Sequence, residues 1–396
     1  MTAVSYETPS GTAEFMSAQP YPLWAAARAE CPVVRTEGAA PGDPPSFQIT
    51  RYADAERVLR DWETFSSSIN GDVMGEYMGD LILALNGPDH RRYRNLVAHA
   101  FRASVLERWD AELVQPVIHQ LLDRIEPLGR ADLVRDVTSQ YPVQVICGIV
   151  GVPLEDHEQF ATWAEHINTG PIDPPRGKAA SEAMRDYLSG LVEARRAEPT
   201  GDLLSELVHA EVDGHRLTDE KIYGFLRLLL PAGAETTFRV LGNALVALLT
   251  HPDVLDAVRA DRSLLPDVIE ETLRWETSVT MVMRVATTDT EVAGCPIPAG
   301  SPIGIVTGSA NRDESRFEDP DTWRLDRPPQ HHLAFGTGPH QCLGMHLARL
   351  ELRAGLGAIL DRLPELRLDP HGPTPEIQGF AFRGPDTLPV LFTPSR

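Results

Sequence analysis

From about Thr218 to Thr250 the chain carries an unbroken helical pattern, and no other feature limits its fold as much. A helix of ~32 residues spans about 48 Å, enough to cross a whole domain. Thr218 suits the N-cap, Asp219 and Glu220 suit the positive end of the dipole, and His251-Pro252 ends the helix. Pro231 removes the N–H that would bond to the carbonyl of Arg227, which predicts a kink there. A helix this long needs other helices packed along it. They are present from about Glu107 to Glu211, where apolar residues recur at helical spacing, as in VLERWDAELVQPVIHQLLDRI. Within that stretch TGPIDPPRGK, at 169–178, reads as a loop between two helices.

Strand patterns are short and lie towards the two ends: SFQIT near residue 46, then VATTDTEVAG and PIPAGSPIGIVTG beyond Arg284. The expected fold is mainly α with a minor β part, in one domain over 1–396. Its β-containing portions are about 1–65 and 285–310, and its helical core is about 85–280 and 340–365. Lys plus Arg is 36 against 57 for Asp plus Glu, a formal charge of −21. So acidic a surface repels phosphate backbones and anionic lipid, which argues against nucleic acid and membranes as partners. The first residues, MTAVSYETPSGTAEF, have neither the basic start nor the apolar centre of an export signal, and no apolar run approaches a membrane span. The cysteines at 31, 147, 295 and 342 show no paired spacing, which points to a reducing compartment, the cytoplasm.

The segment HHLAFGTGPHQCLGMHLARLEL carries the most chemistry. Cys342 reads as sitting at the start of a helix, where free N–H groups and the dipole favour thiolate. The surrounding glycines permit positive φ and close approach to a flat partner. Cys147, in the apolar run VQVICGIV, reads instead as a buried structural cysteine. His331, His332, His340, Cys342 and His346 also raise a zinc reading, but no second cysteine and no regular spacing support it.

Phe335, Gly336, Gly338, His340, Cys342 and Gly344, at their spacing, resemble the haem-binding loop of the cytochrome P450 superfamily, soluble bacterial type. The resemblance implies the helix-rich prism of that family, with haem b between a long distal helix and the cysteine-loop helix. It implies that Cys342 is the axial thiolate on iron, pushing electron density that favours O–O cleavage.

Three further segments match in family order. Glu271 and Arg274, in VIEETLRWE, resemble the family's structural Glu-x-x-Arg pair, with Asn311-Arg312-Asp313 and Arg327 expected in the same network. The spacing alone is uninformative, since Glu182–Arg185 and Glu193–Arg196 share it. In the long helix, Ala232-Gly233-Ala234-Glu235-Thr236-Thr237 resembles the distal oxygen-activating segment. Small Ala232 and Gly233 let a macrocycle lie against the helix, while Glu235 and Thr236 form an acid–alcohol pair for proton delivery. In NGPDHRRYRNLVAHAF, Pro88 suits a first helical turn and His90 and Arg94 lie one turn apart. By resemblance they hold a haem propionate, joined by Arg284 and His340. Arg91 and Arg92, on the neighbouring face, suit an acidic electron donor.

The implied reaction is reductive dioxygen activation, inserting one oxygen atom into an organic substrate and releasing the other as water. No flavin or iron–sulfur segment is visible, so electrons are expected from NAD(P)H through a reductase and a ferredoxin. By position the substrate pocket draws on Met74, Tyr77, Met78 and Leu81, on Val279, Thr280 and Met281, and on Phe380 and Phe382. No cation stands out among them as a carboxylate anchor, so the expected substrate is a neutral, apolar natural product or steroid-sized molecule. The protein is expected to be a monomer. Alternatives are the same fold used for desaturation, coupling or peroxide-driven oxidation, and a non-enzymatic haem- or zinc-binding protein.

Overall fold

A computed structural model describes residues 19–38, 42–170, 173–212 and 214–395. The expected lack of an export signal falls on residues outside that set, as does the middle of the Pro/Gly tract near residue 40. Contacts divide the chain into two compact units, each assembled from three separate segments. One comprises Met1–Ile69, Arg239–Cys342 and Pro373–Leu388, the other Asn70–Phe238, Leu343–Gly372 and Pro389–Arg396.

The first unit holds the principal sheet, in the order Val33–Thr36, Ser46–Ile49, Pro302–Ile305, Val282–Ala286, Phe65–Ser66. Neighbours are antiparallel except Ser46–Ile49 beside Pro302–Ile305. Ile303 stands opposite both Phe47 and Arg284, which fixes the register of the three inner strands. Phe47, Ile49, Ile303 and Ile305 bury one sheet face against Tyr52, Ala55 and Leu59 of helix Tyr52–Arg60. These strands lie at residues 33–66 and 282–305, while others, such as Arg130–Asp132 and Pro389–Leu391, lie outside the portions expected to be β.

The second unit is helical, with a small sheet of Arg367–Leu368, Pro389–Leu391 and Arg130–Asp132. Met184, Leu188 and Val192 recur one turn apart on helix Pro174–Ala197 and are fully buried. That helix also corrects the expected loop at 169–178, because its first residues are Pro174 and Pro175. Proline is well placed in a first turn, where its missing N–H is not needed, and the Asp173 side chain accepts from the N–H of Arg176. The long helix spans Asp219–Thr250 and runs through Pro231 without a break, and Thr218 Oγ1 accepts from Lys221 N at 3.4 Å. Among the described residues no helix is long and apolar enough to cross a membrane.

Candidate active site

In the first unit the cysteine loop is shaped by two glycines in the left-handed region, Gly336 at φ +63° and Gly338 at φ +76°. A Cβ on Gly338 would sit 2.9 Å from the carbonyl oxygen of Leu59, a backbone atom that cannot yield, so this position needs glycine. The turn closes through Cys342 N–H to Phe335 O at 2.9 Å and Gln341 N–H to Gly338 O at 3.1 Å. Cys342 is exposed, whereas Cys147 is buried and its thiol pKa is pushed up to about 12 by loss of water. Cys342 does not occupy the first helical turn, as the sequence suggested. Helix Met345–Arg362 begins three residues later with Gly344 as N-cap, in the second unit.

The Glu271–Arg274 pair braces this loop through a traceable set of bonds. Both side chains are almost completely buried, and the guanidinium grips the carboxylate with Nε and Nη2 at 2.8 and 2.7 Å. Arg274 Nη1 also donates to the carbonyl of Asn311, whose side-chain oxygen accepts from Leu333 N–H, two residues before Phe335. Arg327 joins at Glu271 Oε1, as expected. Arg312 does not. It pairs with Glu276, which also accepts from Arg383 and from the hydroxyl of Tyr21. Asp313 instead caps helix Tyr52–Arg60 by accepting from Tyr52 N–H. The Glu276 cluster gathers residues 21, 276, 312 and 383, which no local spacing links, so sequence reading missed it.

Arg284 lies on strand Val282–Ala286 with 4% exposure. Among the described residues its one hydrogen bond runs from Nη1 to the carbonyl of its neighbour Met283. Burial alone lowers its pKa, to about 10. A desolvated guanidinium without a carboxylate calls for an anion, and a haem propionate supplies one. With a thiol on an open loop beside glycine backbone, this donor set fits a haem group. The expected substrate segments of this unit lie side by side: Val279 bridges Phe382, Thr280 N–H donates to Ala381 O, and the Thr280 hydroxyl donates to Phe380 O. Met281 packs against Gly304.

The second unit holds the remaining candidates. His90 and Arg94 lie on helix Gly87–Ala98, the imidazole buried and the guanidinium half-buried, with Arg91 and Arg92 exposed. On the long helix, Ala232 is exposed, and Glu235 and Thr236 are half-buried. Thr236 Oγ1 donates to the Ala232 carbonyl at 2.8 Å, so its proton is engaged within the helix while its lone pairs stay open. Gly233 also admits a neighbouring helix: a Cβ there would meet Ile146, on helix Tyr141–Val150, at 3.3 Å. Tyr77 and Met78 end helix Ile69–Met78 and are buried, and the Tyr77 ring packs on Gly170 and Gly177.

Among the described residues no three His, Cys, Asp or Glu side chains gather to hold a metal ion. His331 bonds to Tyr52 and His332 to Glu270, which leaves the zinc reading without a ligand set.

Comparison with known proteins identifies the family. The family model for cytochrome P450 matches residues 174–384. The chain is 38% identical to the steroid C26-monooxygenase of Mycolicibacterium smegmatis, over 87% of each sequence. It is 36% identical to the cytochrome P450 monooxygenase PikC of Streptomyces venezuelae, over 89% of this chain and 86% of that one. Its fold superposes on CYP109E1 of Bacillus megaterium, solved with testosterone, with a TM-score of 0.85 and 30% identity over 94% of this chain and 99% of that one. The chain belongs to the cytochrome P450 family. It is a haem b-dependent monooxygenase, an oxidoreductase that inserts oxygen into organic molecules.

Proposed function

We propose that Cys342 ligates the haem iron and that the two units work as one catalytic domain. The observation that carries this is the exposed Cys342 on a glycine-shaped loop, braced from below by Glu271, Arg274 and Asn311. Bound haem supplies the reductive activation of dioxygen. Around it Phe335, Gly336 and Gly344 shape the thiolate side, and Arg284, His340, His90 and Arg94 hold the propionates. Ala232 leaves room on the distal side, and Gly233 lets the helix seat against Ile146. Thr236 offers its open lone pairs to a water and Glu235 supplies the proton, so together they relay protons to the reacting oxygen.

The substrate has an apolar body of steroid size, in keeping with the steroid relative and the testosterone complex. Met74, Tyr77, Met78, Val279, Met281 and Phe380 contact it. Electrons come from NAD(P)H through a flavin reductase and a ferredoxin, which docks at exposed Arg91 and Arg92. The protein works as a cytoplasmic monomer.

The test is the absorption spectrum of the dithionite-reduced protein under carbon monoxide. The wild type should give the strongly red-shifted Soret band of thiolate ligation, and Cys342→Ser should lose it while keeping its circular dichroism. A Soret band unchanged by Cys342→Ser would overturn the assignment.

A further inference from the structure

Arg227 lies on the first part of the long helix, inside the run LRLLL, and is 7% exposed. Its guanidinium lies between two other elements of the same unit. Nη1 donates to the hydroxyl of Ser181 on helix Pro174–Ala197 at 2.8 Å, and Nε donates to Tyr223 O, one turn back, at 3.3 Å. The Nη2 edge rests on Gly79, at φ +78°, directly after Tyr77 and Met78. Any side chain at Gly79 would collide with it. Beside this contact the long helix approaches as closely as backbone allows, since a Cβ on Gly224 would lie 2.5 Å from the carbonyl of Asp80.

No carboxylate answers this charge among the described residues. The acid whose field reaches it, Glu220, is tied to Arg185, and the Arg185 cation offsets that field. Two of the five N–H groups of Arg227 are engaged, both by neutral oxygens. Taking a guanidinium out of water without an anion is unfavourable, and a leucine-rich helix could carry Leu or Met there. An arginine retained here is suited to a ligand oxygen. Ser181 completes the arrangement, because a hydroxyl that accepts from arginine can still donate to the same ligand.

We infer that Arg227 and Ser181 anchor a carbonyl or carboxylate oxygen at one end of the substrate. The inference rests on the proposed P450 reading, because it takes Tyr77 and Met78 to face the substrate. It revises the expectation that no cation serves as an anchor. It also bears on regiochemistry: Thr236 lies nine positions after Arg227, about 13.5 Å along the helix axis. Oxygen is therefore inserted at the end of the substrate remote from its anchored group.

The experiment titrates the haem-loaded ferric enzyme with matched steroids and follows the low- to high-spin shift of the Soret band. One pair is a 3-ketone and its 3-deoxy analogue. The other is a steroid with a terminal carboxylate and the same body ending in methyl. In the wild type the oxygenated member of at least one pair should bind about ten- to a hundredfold more tightly, the range of a hydrogen bond to a charged group. The pair that responds identifies a ketone or a carboxylate. Arg227→Met should abolish the preference by weakening only the oxygenated member, Arg227→Lys should retain part of it, and Ser181→Ala should reduce it.

A wild type that favours no oxygenated member overturns the inference, as does Arg227→Met weakening both members equally, which would make Arg227 a latch between helices. The carbon monoxide spectrum of each protein separates the two failures. A normal thiolate band without discrimination rejects the anchor alone, whereas a wild type lacking the band rejects the haem reading. Should Arg227→Met not load haem, the Ser181→Ala titration still decides the matter.

Discussion

Five of the buried arginines fall into two groups, those that grip a buried carboxylate and those that grip none. Arg274, Arg312 and Arg383 are buried, and each grips a carboxylate, Glu271 for the first and Glu276 for the other two. Arg284, in the same unit, and Arg227, in the other, are buried to a similar degree and grip none. A charge taken from water is tolerated when its partner is built in, and it weakens the fold when the partner arrives later. The first group therefore serves the scaffold. In the reading proposed above, the second serves binding, at the expense of some stability in the ligand-free chain.

This contrast breaks most sharply at Arg274. Replacing it with Met leaves Glu271 buried with Arg327 as its remaining cation and deprives the carbonyl of Asn311 of its guanidinium donor. Breaking a buried pair from one side costs about 3–5 kcal/mol, so urea unfolding should show a loss of that size. A loss under about 1 kcal/mol, comparable with a surface pair, would remove Arg274 from the scaffold.

Arg284→Met should behave in the opposite sense. Without a carboxylate the cation gives the haem-free protein nothing, so unfolding of the apoprotein should show unchanged or slightly raised stability. The effect should appear in haem retention: one charge-assisted bond is worth about 1.5–3 kcal/mol, so haem transfer to a scavenger protein should accelerate at least about tenfold. Destabilised apoprotein with unchanged haem transfer would move Arg284 into the scaffold group.

Sequence showed the parts of this picture that depend on local pattern or fixed spacing. The Asp219–Thr250 helix could be read from its cap, its periodicity and the Pro252 stop, and the cysteine loop from six residues within ten positions. What escaped depends on which distant residues fold together. Arg312 and Arg274 sit in equally plausible contexts, yet one selects Glu276 and the other Glu271, and only the tertiary path decides. The approach of Gly233 to Ile146 was invisible in sequence because the two lie 87 positions apart. Asp173-Pro174-Pro175 looked like a loop because proline ends helices more visibly than it begins them. Arg227 did carry a signal, a lone cation within LRLLL, but such a residue reads equally well as the exposed stripe of an ordinary helix.

The smallest expected effect extends the same comparison to the cysteines. Cys147 is buried among apolar residues with its thiol pushed up to about 12, while Cys342 lies on an open loop. Iodoacetamide at about pH 8 should therefore label Cys342 in the haem-free protein, haem should protect it, and Cys147 should stay unmodified throughout. The raised value also fixes a sign. The folded chain holds the Cys147 proton more tightly than the unfolded chain, whose thiol titrates near 9.0. The stability from keeping the thiol protonated is complete below about pH 9 and declines as pH rises towards about 12. The difference in unfolding free energy between wild type and Cys147→Ala should thus be flat between about pH 7 and 8.5, then turn against the wild type above about pH 9. A difference that stayed flat to about pH 11 would show that Cys147 is not enclosed as described.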